Sequence, residues 1–381
     1  MRIKTAFIWA VLIVGSAGRL AASTTPALAA FQEEAKKESE EKEKQKQEKK
    51  SGIAVLPVVF YTPETKLAFG IGGLYYFPLT RDKTVDRPSN IAFSGVYTQK
   101  KQTSIELNPD LYLGHGYHIQ AVLRYSDFPD YFYGVGNATS ADLEEPFTSK
   151  YWWLSVEALK RMNGPVNVGF QYFFDETKLT EVGAGGLLDS GDVTGSGGGT
   201  VSGLGPFLTY DSRDSIFFPT QGSYHQFSAL TFGPALGSDF RFNRFYLELR
   251  KYHGLSPACV LAFQARFLVQ TGDPPFWRMG LIGGEESMRG YYLGRYRDRN
   301  LMAFQAEYRW VPVFWRVGLV AFAGLGDVAD SLGHFDLGRF EYSYGLGLRL
   351  VIDPKQRLHI RLDFGFGRGT SGFYFTAGEA F

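Results

Sequence analysis

From Gly52 onward, apolar and polar side chains alternate one by one along stretches of about ten residues. In 301–310 (LMAFQAEYRW), Met302, Phe304, Ala306, Tyr308 and Trp310 share one face, and Gln305, Glu307 and Arg309 share the other. In 244–251, Phe245, Leu247 and Leu249 alternate with Arg244, Tyr246, Glu248 and Arg250. In 358–366, Leu358, Ile360, Leu362, Phe364 and Phe366 oppose His359, Arg361 and Asp363. Such segments are strands with one apolar and one charged face. A soluble sandwich would turn the apolar face inward, whereas a barrel in lipid turns it outward. Three features favour lipid. Roughly ten residues is the length of a tilted strand crossing a bilayer. Aromatics, 16% of the chain, gather at segment ends as expected of interfacial girdles: Phe128, Tyr131, Phe132 and Tyr133; Tyr151, Trp152 and Trp153; Trp310, Phe314 and Trp315. The chain also closes with a strand-like FYFTAGEAF ending on Phe381. Beyond the N-terminus, no apolar run reaches the roughly 18 residues of a membrane helix.

The alternating segments number sixteen, from 52–60 to 372–380, an even count as bacterial barrels require. The expected fold is all-β: a 16-stranded antiparallel transmembrane barrel over 52–381. With the N-terminus periplasmic, the long links 128–149, 177–200, 271–299 and 327–340 fall outside the cell, and short ones such as Asp353-Pro354-Lys355-Gln356 fall inside.

Residues 1–29 read as a signal peptide. Arg2 and Lys4 precede the apolar run 6–17, and Ala27-Leu28-Ala29-Ala30 offers a cleavage site. Residues 30–51 read as a periplasmic tether: 33–50 are almost entirely charged, with no apolar face to hold them to a core. The net charge of +1 gives no reason to expect nucleic-acid binding. The single cysteine, Cys259, can form no internal disulfide.

One insert breaks the pattern. GGEESMRGYYLGRYRDRN at 283–300 is too charged and too glycine-rich for lipid. Its Ser287-Met288-Arg289-Gly290-Tyr291 is similar to the V-R-G-F/Y motif of the BamA/TamA-type outer-membrane proteins, the bacterial surface antigen superfamily. Three other places carry the resemblance. YDSRDSIFFPTQG at 210–222 looks like the family's D-x-R-D…P-T-x-G link. Arg361-Leu362-Asp363-Phe364-Gly365 resembles the R-x-D-x-G of a late strand. Phe132-Tyr133-Gly134-Val135-Gly136-Asn137 is a fainter echo. The resemblance implies that the extracellular loop folds back into the lumen and that Arg289 contacts acidic and aromatic residues of the inner wall. A guanidinium is always charged and pairs bidentately with carboxylates. The inward-facing Glu307 and Asp363 are its candidate partners. Gly283, Gly284, Gly290 and Gly294 suit backbone pressed against a wall. In 210–222, Asp211, Arg213, Asp214, Pro219 and Gly222 read as a structural turn.

The chain departs from the family pattern in three ways. Gly324, in Phe322-Ala323-Gly324-Leu325-Gly326, stands where an acid is usual, with Asp327 the nearest. Glu379 takes a place in the last strand expected to face outward, alongside Phe373, Phe375 and Phe381. Only about twenty residues separate the signal from the first strand, too few for the family's periplasmic POTRA domains.

No catalytic or metal site is expected. The six histidines show no metal-ligand spacing, no G-x-S-x-G elbow occurs, and Gly195–Gly199 precedes no helix that would cradle phosphate. His225 lies near Ser223 and Ser228, but an inward polar row explains them equally well. The resemblance implies a role in outer-membrane biogenesis without a cofactor. Its partners would be membrane lipid, unfolded outer-membrane protein clients and a periplasmic protein. The clients would pass through a weak seam between first and last strands, near Gly378 and Phe381. Alternatives are a passive or gated pore with the Arg289 loop as constriction, and a surface barrel whose loops bind something outside.

Overall fold

The computed structural model describes residues 51–80, 85, 88–162, 164–354 and 357–381. The expected signal peptide, and all of the tether but Ser51, lie outside the described residues. The first eleven strands are β1 (Gly52–Thr62), β2 (Lys66–Phe77), β3 (Ser89–Thr98), β4 (Thr103–Gly114), β5 (Tyr117–Phe132), β6 (Glu145–Arg161), β7 (Val166–Val182), β8 (Gly199–Asp211), β9 (Gly222–Phe232), β10 (Phe242–Ser256) and β11 (Cys259–Gly272). Then come two short strands, β12 (Gly280–Ile282) and β13 (Tyr296–Asp298). They are followed by β14 (Asn300–Phe314), β15 (Val317–Ala329), β16 (Glu341–Asp353), β17 (Leu358–Gly367) and β18 (Thr370–Ala377). All but β12 and β13 join neighbour to neighbour in a closed antiparallel barrel of sixteen strands. β12 and β13 pair with each other inside the loop between β11 and β14.

Closure follows from the solvent. In hydrocarbon every backbone N–H and C=O must be paired within the protein, so strands can cross only as a closed barrel. Among the described residues no helix is long and apolar enough to cross. The alternation sets which face is which. On β14, Phe304, Tyr308 and Trp310 are exposed toward lipid, while Gln305, Glu307 and Arg309 are buried in the lumen. On β17, Phe364 and Phe366 face out and His359, Arg361 and Asp363 face in.

The aromatic clusters divide differently from the expectation. Trp152, Trp310, Phe314 and Trp315 are exposed, but Phe132, Tyr133, Tyr151 and Trp153 are buried. Phe132 stacks edge-on against Phe276 of the β11–β14 loop, and Trp153 meets Phe173 across neighbouring strands. Phe132, Tyr151 and Trp153 lie on inward-facing positions of β5 and β6, and β5, β6 and β7 extend to 16, 17 and 17 residues. That is longer than a lipid crossing needs, so their extracellular ends form walls around the loops.

The last strand is also corrected. β18 stops at Ala377, where Gly378 adopts a φ of +78°, in the left-handed region. The turn breaks the two-residue period. Glu379 and Phe381, expected outward, are instead buried inside the barrel. Phe381 packs with Phe218, Tyr252 and Val311. The β18 ladder with β17 runs from Ile360↔Ala377 to Gly367↔Thr370. With β1, by contrast, β18 registers at Tyr61↔Phe375 alone.

Candidate functional site: an arginine loop in the lumen

The loop from Asp273 to Arg299 enters the barrel mouth. Its start packs Phe276 and Trp277 against Phe132, Phe147 and Leu188. β12 and β13 then bring residues 283–294 down onto the inner wall. Gly283, Gly284, Gly290 and Gly294 all have positive φ (+108°, +97°, +112° and +81°). At Gly290 a second constraint applies: a Cβ there would lie 2.7 Å from the Phe366 backbone. A Cβ at Gly365 would lie 2.5 Å from the Arg289 carbonyl carbon. The glycine of R-x-D-x-G and the glycine after Arg289 are therefore two sides of one backbone contact.

That contact delivers Arg289, whose side chain has no exposed surface, between three groups. Its Nη2 donates to Glu307 on β14 and its Nη1 to Asp363 on β17, the latter at 2.5 Å. The guanidinium carbon lies 3.6 Å from the centroid of the Phe322 ring on β15. The network continues on both sides. Arg309 donates to Glu307 at 2.7 Å and to the Phe381 carbonyl at 2.8 Å. Arg349 bridges Asp363 at 2.6 Å and Glu379 at 2.8 Å, and the Glu379 carboxylate also meets His359 at 2.9 Å. Arg361 contacts Thr376 at 2.7 Å and Glu285 of the loop at 3.1 Å. Arg289, Arg309, Arg349 and Arg361 thus meet Glu285, Glu307, Asp363 and Glu379, so the buried charge balances. A buried charge that is not paired costs several kcal/mol, and this lattice leaves no carboxylate among the four without a cation.

The flanking motif residues support this placement. Met288, with φ of +55°, lays its sulfur where a Cβ on Gly324 would be 3.1 Å away, so the position usually taken by an acid is filled by the loop itself. Asp327 is turned to Asn137 at 2.9 Å and is no partner of Arg289. Ser287 is buried on the same turn. The Tyr291 hydroxyl donates to Glu341 at 2.7 Å and accepts from the Arg368 N–H at 2.8 Å. The segment 132–137 docks on the base of the loop, with the Gly136 N–H donating to the Arg297 carbonyl at 2.7 Å.

At the periplasmic end, the 211–222 link is a closed turn. Arg213 donates to Asp211 at 2.7 and 2.9 Å, and Asp214 accepts from the Thr220 and Gln221 N–H groups and from Arg357. Pro219 immediately precedes Thr220, and Gly222 has a φ of +99°. Sequence reasoning passed over Arg349, Phe322, Glu285 and Glu379 as members of the lattice. The inward parity of Arg349 in the alternating 341–352 was the one available signal, since Glu379 enters only through the turn at Gly378.

Glu285 makes loop seating depend on pH. Burial pushes its carboxyl up to about 7, against the pull of Arg361, and Glu286 and Glu64 push further the same way. An acid whose pKa is raised on docking takes up a proton on docking. Seating therefore weakens as pH rises from the usual 4.5 toward 7 and is flat above. Amide exchange across 283–294, corrected for its intrinsic rate, is expected to be slower relative to free chain at pH 5 than at pH 8. Glu285→Gln should abolish the difference.

A sixteen-strand outer-membrane barrel with an arginine loop seated on its inner wall is the architecture of the Omp85 proteins. Residues 192–381 match the Omp85 superfamily domain, and the chain belongs to that superfamily, as a protein of the BamA/TamA type in the bacterial outer membrane. Among curated proteins it is similar to the outer membrane protein assembly factor BamA of Nitratidesulfovibrio vulgaris, 30% identical over 198 residues. That match takes in 46% of this chain and 25% of the relative, so the chain spans about a quarter of that protein's length. Among solved structures, BamA from Haemophilus ducreyi lacking POTRA domains 1–3 superposes with a TM-score of 0.62 at 15% identity, covering 87% of this chain and 71% of that one. CdiB from Escherichia coli gives 0.55 at 11% identity, covering 91% and 70%. CdiB from Acinetobacter baumannii gives 0.52 at 12%, covering 85% and 59%. At these identities the structural likeness concerns the fold.

Proposed function

We propose that this barrel acts in outer-membrane biogenesis, inserting outer-membrane proteins, or passing proteins or lipids, through the barrel or the seam between β1 and β18. The observation that carries this reading is the seam. Every other pair of neighbouring strands is laddered over more than half of the shorter strand, whereas β1 and β18 register at one residue pair. An edge with unpaired N–H and C=O groups is a template for an incoming strand, and a client paired there could leave sideways into lipid. The client is an unfolded outer-membrane protein, delivered by a periplasmic partner. The barrel makes and breaks no covalent bond and needs no cofactor. A passive pore fits less well, because the loop carrying Met288, Arg289 and Tyr291 is seated inside the barrel with those side chains buried.

The test is an insertion assay. The purified barrel in liposomes is given an unfolded outer-membrane barrel, and folding is followed against empty liposomes. Clear acceleration supports the reading. No acceleration together with steady ion conductance would replace it with the pore.

A further inference from the structure

The same loop that carries Arg289 also spans the seam. Four consecutive residues do so, and they divide evenly. Gly290 and Tyr291 bind the C-terminal side. The Gly290 N–H donates to the Tyr374 hydroxyl on β18 at 3.0 Å, and the Thr370 hydroxyl donates to the Gly290 carbonyl at 3.0 Å. The Tyr291 hydroxyl accepts from the Arg368 N–H in the β17–β18 turn. Tyr292 and Leu293 bind the N-terminal side. The Tyr292 hydroxyl donates to Asp130 at the outer end of β5 at 2.7 Å, and the Leu293 N–H donates to Glu64 Oε1 at 2.8 Å.

Glu64 sits in the tight link between β1 and β2, a place where a carboxylate would ordinarily reach water, yet it is only 3% exposed. Its turn is fixed independently of the loop. Thr65 N–H donates to the Thr62 hydroxyl at 3.2 Å. The Gln102 amide donates to the Glu64 carbonyl at 3.1 Å and to the Pro129 carbonyl at 2.8 Å. The Glu64 carboxylate is therefore held out from a rigid edge toward the loop.

We propose that residues Gly290–Leu293 are a displaceable clasp across the β1–β18 seam, and that Glu64 is the positioning residue through which the N-terminal edge is held. The two edges share one registered pair directly, but they share the loop by several hydrogen bonds. Opening the seam then requires breaking the loop's bonds to the N-terminal side, at Glu64 and Asp130, or those to the C-terminal side, at Tyr374, Thr370 and Arg368, while Arg289 keeps the rest of the loop on the wall. The occupant that would displace the clasp is an extended peptide backbone pairing along β1. This role rests on the seam being the route proposed above.

The test reads the seam directly, with no client. Spin labels go on Val55→Cys and Phe364→Cys, both lipid-exposed positions on β1 and β17, in a Cys259→Ser background. Their distance distribution is measured in liposomes. Glu64→Ala is expected to raise the population at longer distance by about five- to ten-fold, the scale of one lost buried hydrogen bond. Glu64→Gln keeps an oxygen to accept from Leu293 and should stay near the parent. Thr370→Val, on the other side of the seam, should shift the distribution the same way as Glu64→Ala, and it serves if that variant does not fold. Unchanged distributions in both variants would overturn the clasp. So would equal shifts in Glu64→Ala and Glu64→Gln, which would mean that the turn itself had been disturbed. Because the readout contains no client, failed insertion with responsive distances counts against the proposed function alone. Working insertion with unresponsive distances counts against the clasp alone.

Discussion

Arg289→Ala is expected to release residues 283–294 from the lumen wall while leaving the sixteen strands closed. The side chain is fully buried and neutralises two carboxylates at once, Glu307 and Asp363, besides covering the face of Phe322. Removing one partner of a buried ion pair costs about 3–5 kcal/mol, because the charge left behind is neither solvated nor matched. Arg309 and Arg349 remain beside the two acids and soften the loss, so the lower end of that range applies. About 3 kcal/mol corresponds to roughly a hundred-fold loss of exchange protection, to be read at the amides of 283–294. Strand amides away from the loop should be unchanged. Arg289→Lys should recover only part of the protection. An ammonium carries the charge, but it cannot present two donors in one plane to Glu307 and Asp363 while stacking on Phe322. Ion conductance of Arg289→Ala in a planar bilayer should rise with the loss of protection, since the loop seated inside the barrel leaves the wall. Unchanged protection in Arg289→Ala would mean that the backbone contact at Gly290–Gly365 and the Tyr291 hydrogen bonds seat the loop unaided.

The features that could be read in advance from the residues are those governed by strict periodicity or by backbone sterics. Period two put Glu307, Arg309, Arg361 and Asp363 on one face, because in a strand the parity of a residue decides its side. The glycines of the insert marked backbone pressed on backbone. Where parity breaks, the reading failed. Gly378 turns the chain after β18, so Glu379 and Phe381 move from the expected lipid face into the lumen, where Arg349, His359 and Arg309 meet them. Aromatic residues misled for a different reason. A Trp or Tyr serves equally at a lipid interface and inside a lumen lined by guanidiniums, and only its parity separates Trp152 from Trp153, the second of which stacks under Arg124. The place of Gly324 had no local signal at all. A missing acid is explained only once Met288 is seen beside it, 36 residues earlier in the chain, and sequence distance carries no trace of that contact.

The second large effect is expected from closing the seam covalently. Tyr61 and Phe375 are directly opposed across β1 and β18. Opposed residues of antiparallel strands lie about 4.5–5.5 Å apart at Cα, within the roughly 4.4–6.8 Å that a disulfide accepts. Tyr61→Cys with Phe375→Cys, in a Cys259→Ser background, should therefore cross-link on oxidation with little movement of either strand. If clients pair with the free edge of β1, the oxidised barrel should accelerate insertion no more than empty liposomes do. Reduction should restore the rate of the single-cysteine controls. The effect is expected to be all-or-none, unlike that of Arg289→Ala, because one covalent bond at the only registered pair blocks strand exchange whatever the loop does. Full insertion activity in the oxidised barrel would remove the seam from the mechanism and leave the lumen as the route. In that case Arg289 and the lattice around it would lie in the path of the client, and Arg289→Ala should speed transport. If the seam is the route, the same substitution changes insertion only through the clasp at Gly290–Leu293. The cross-link therefore separates the two routes, since it stops insertion through the seam and leaves a lumen route unchanged, whereas Arg289→Ala loosens the loop on either.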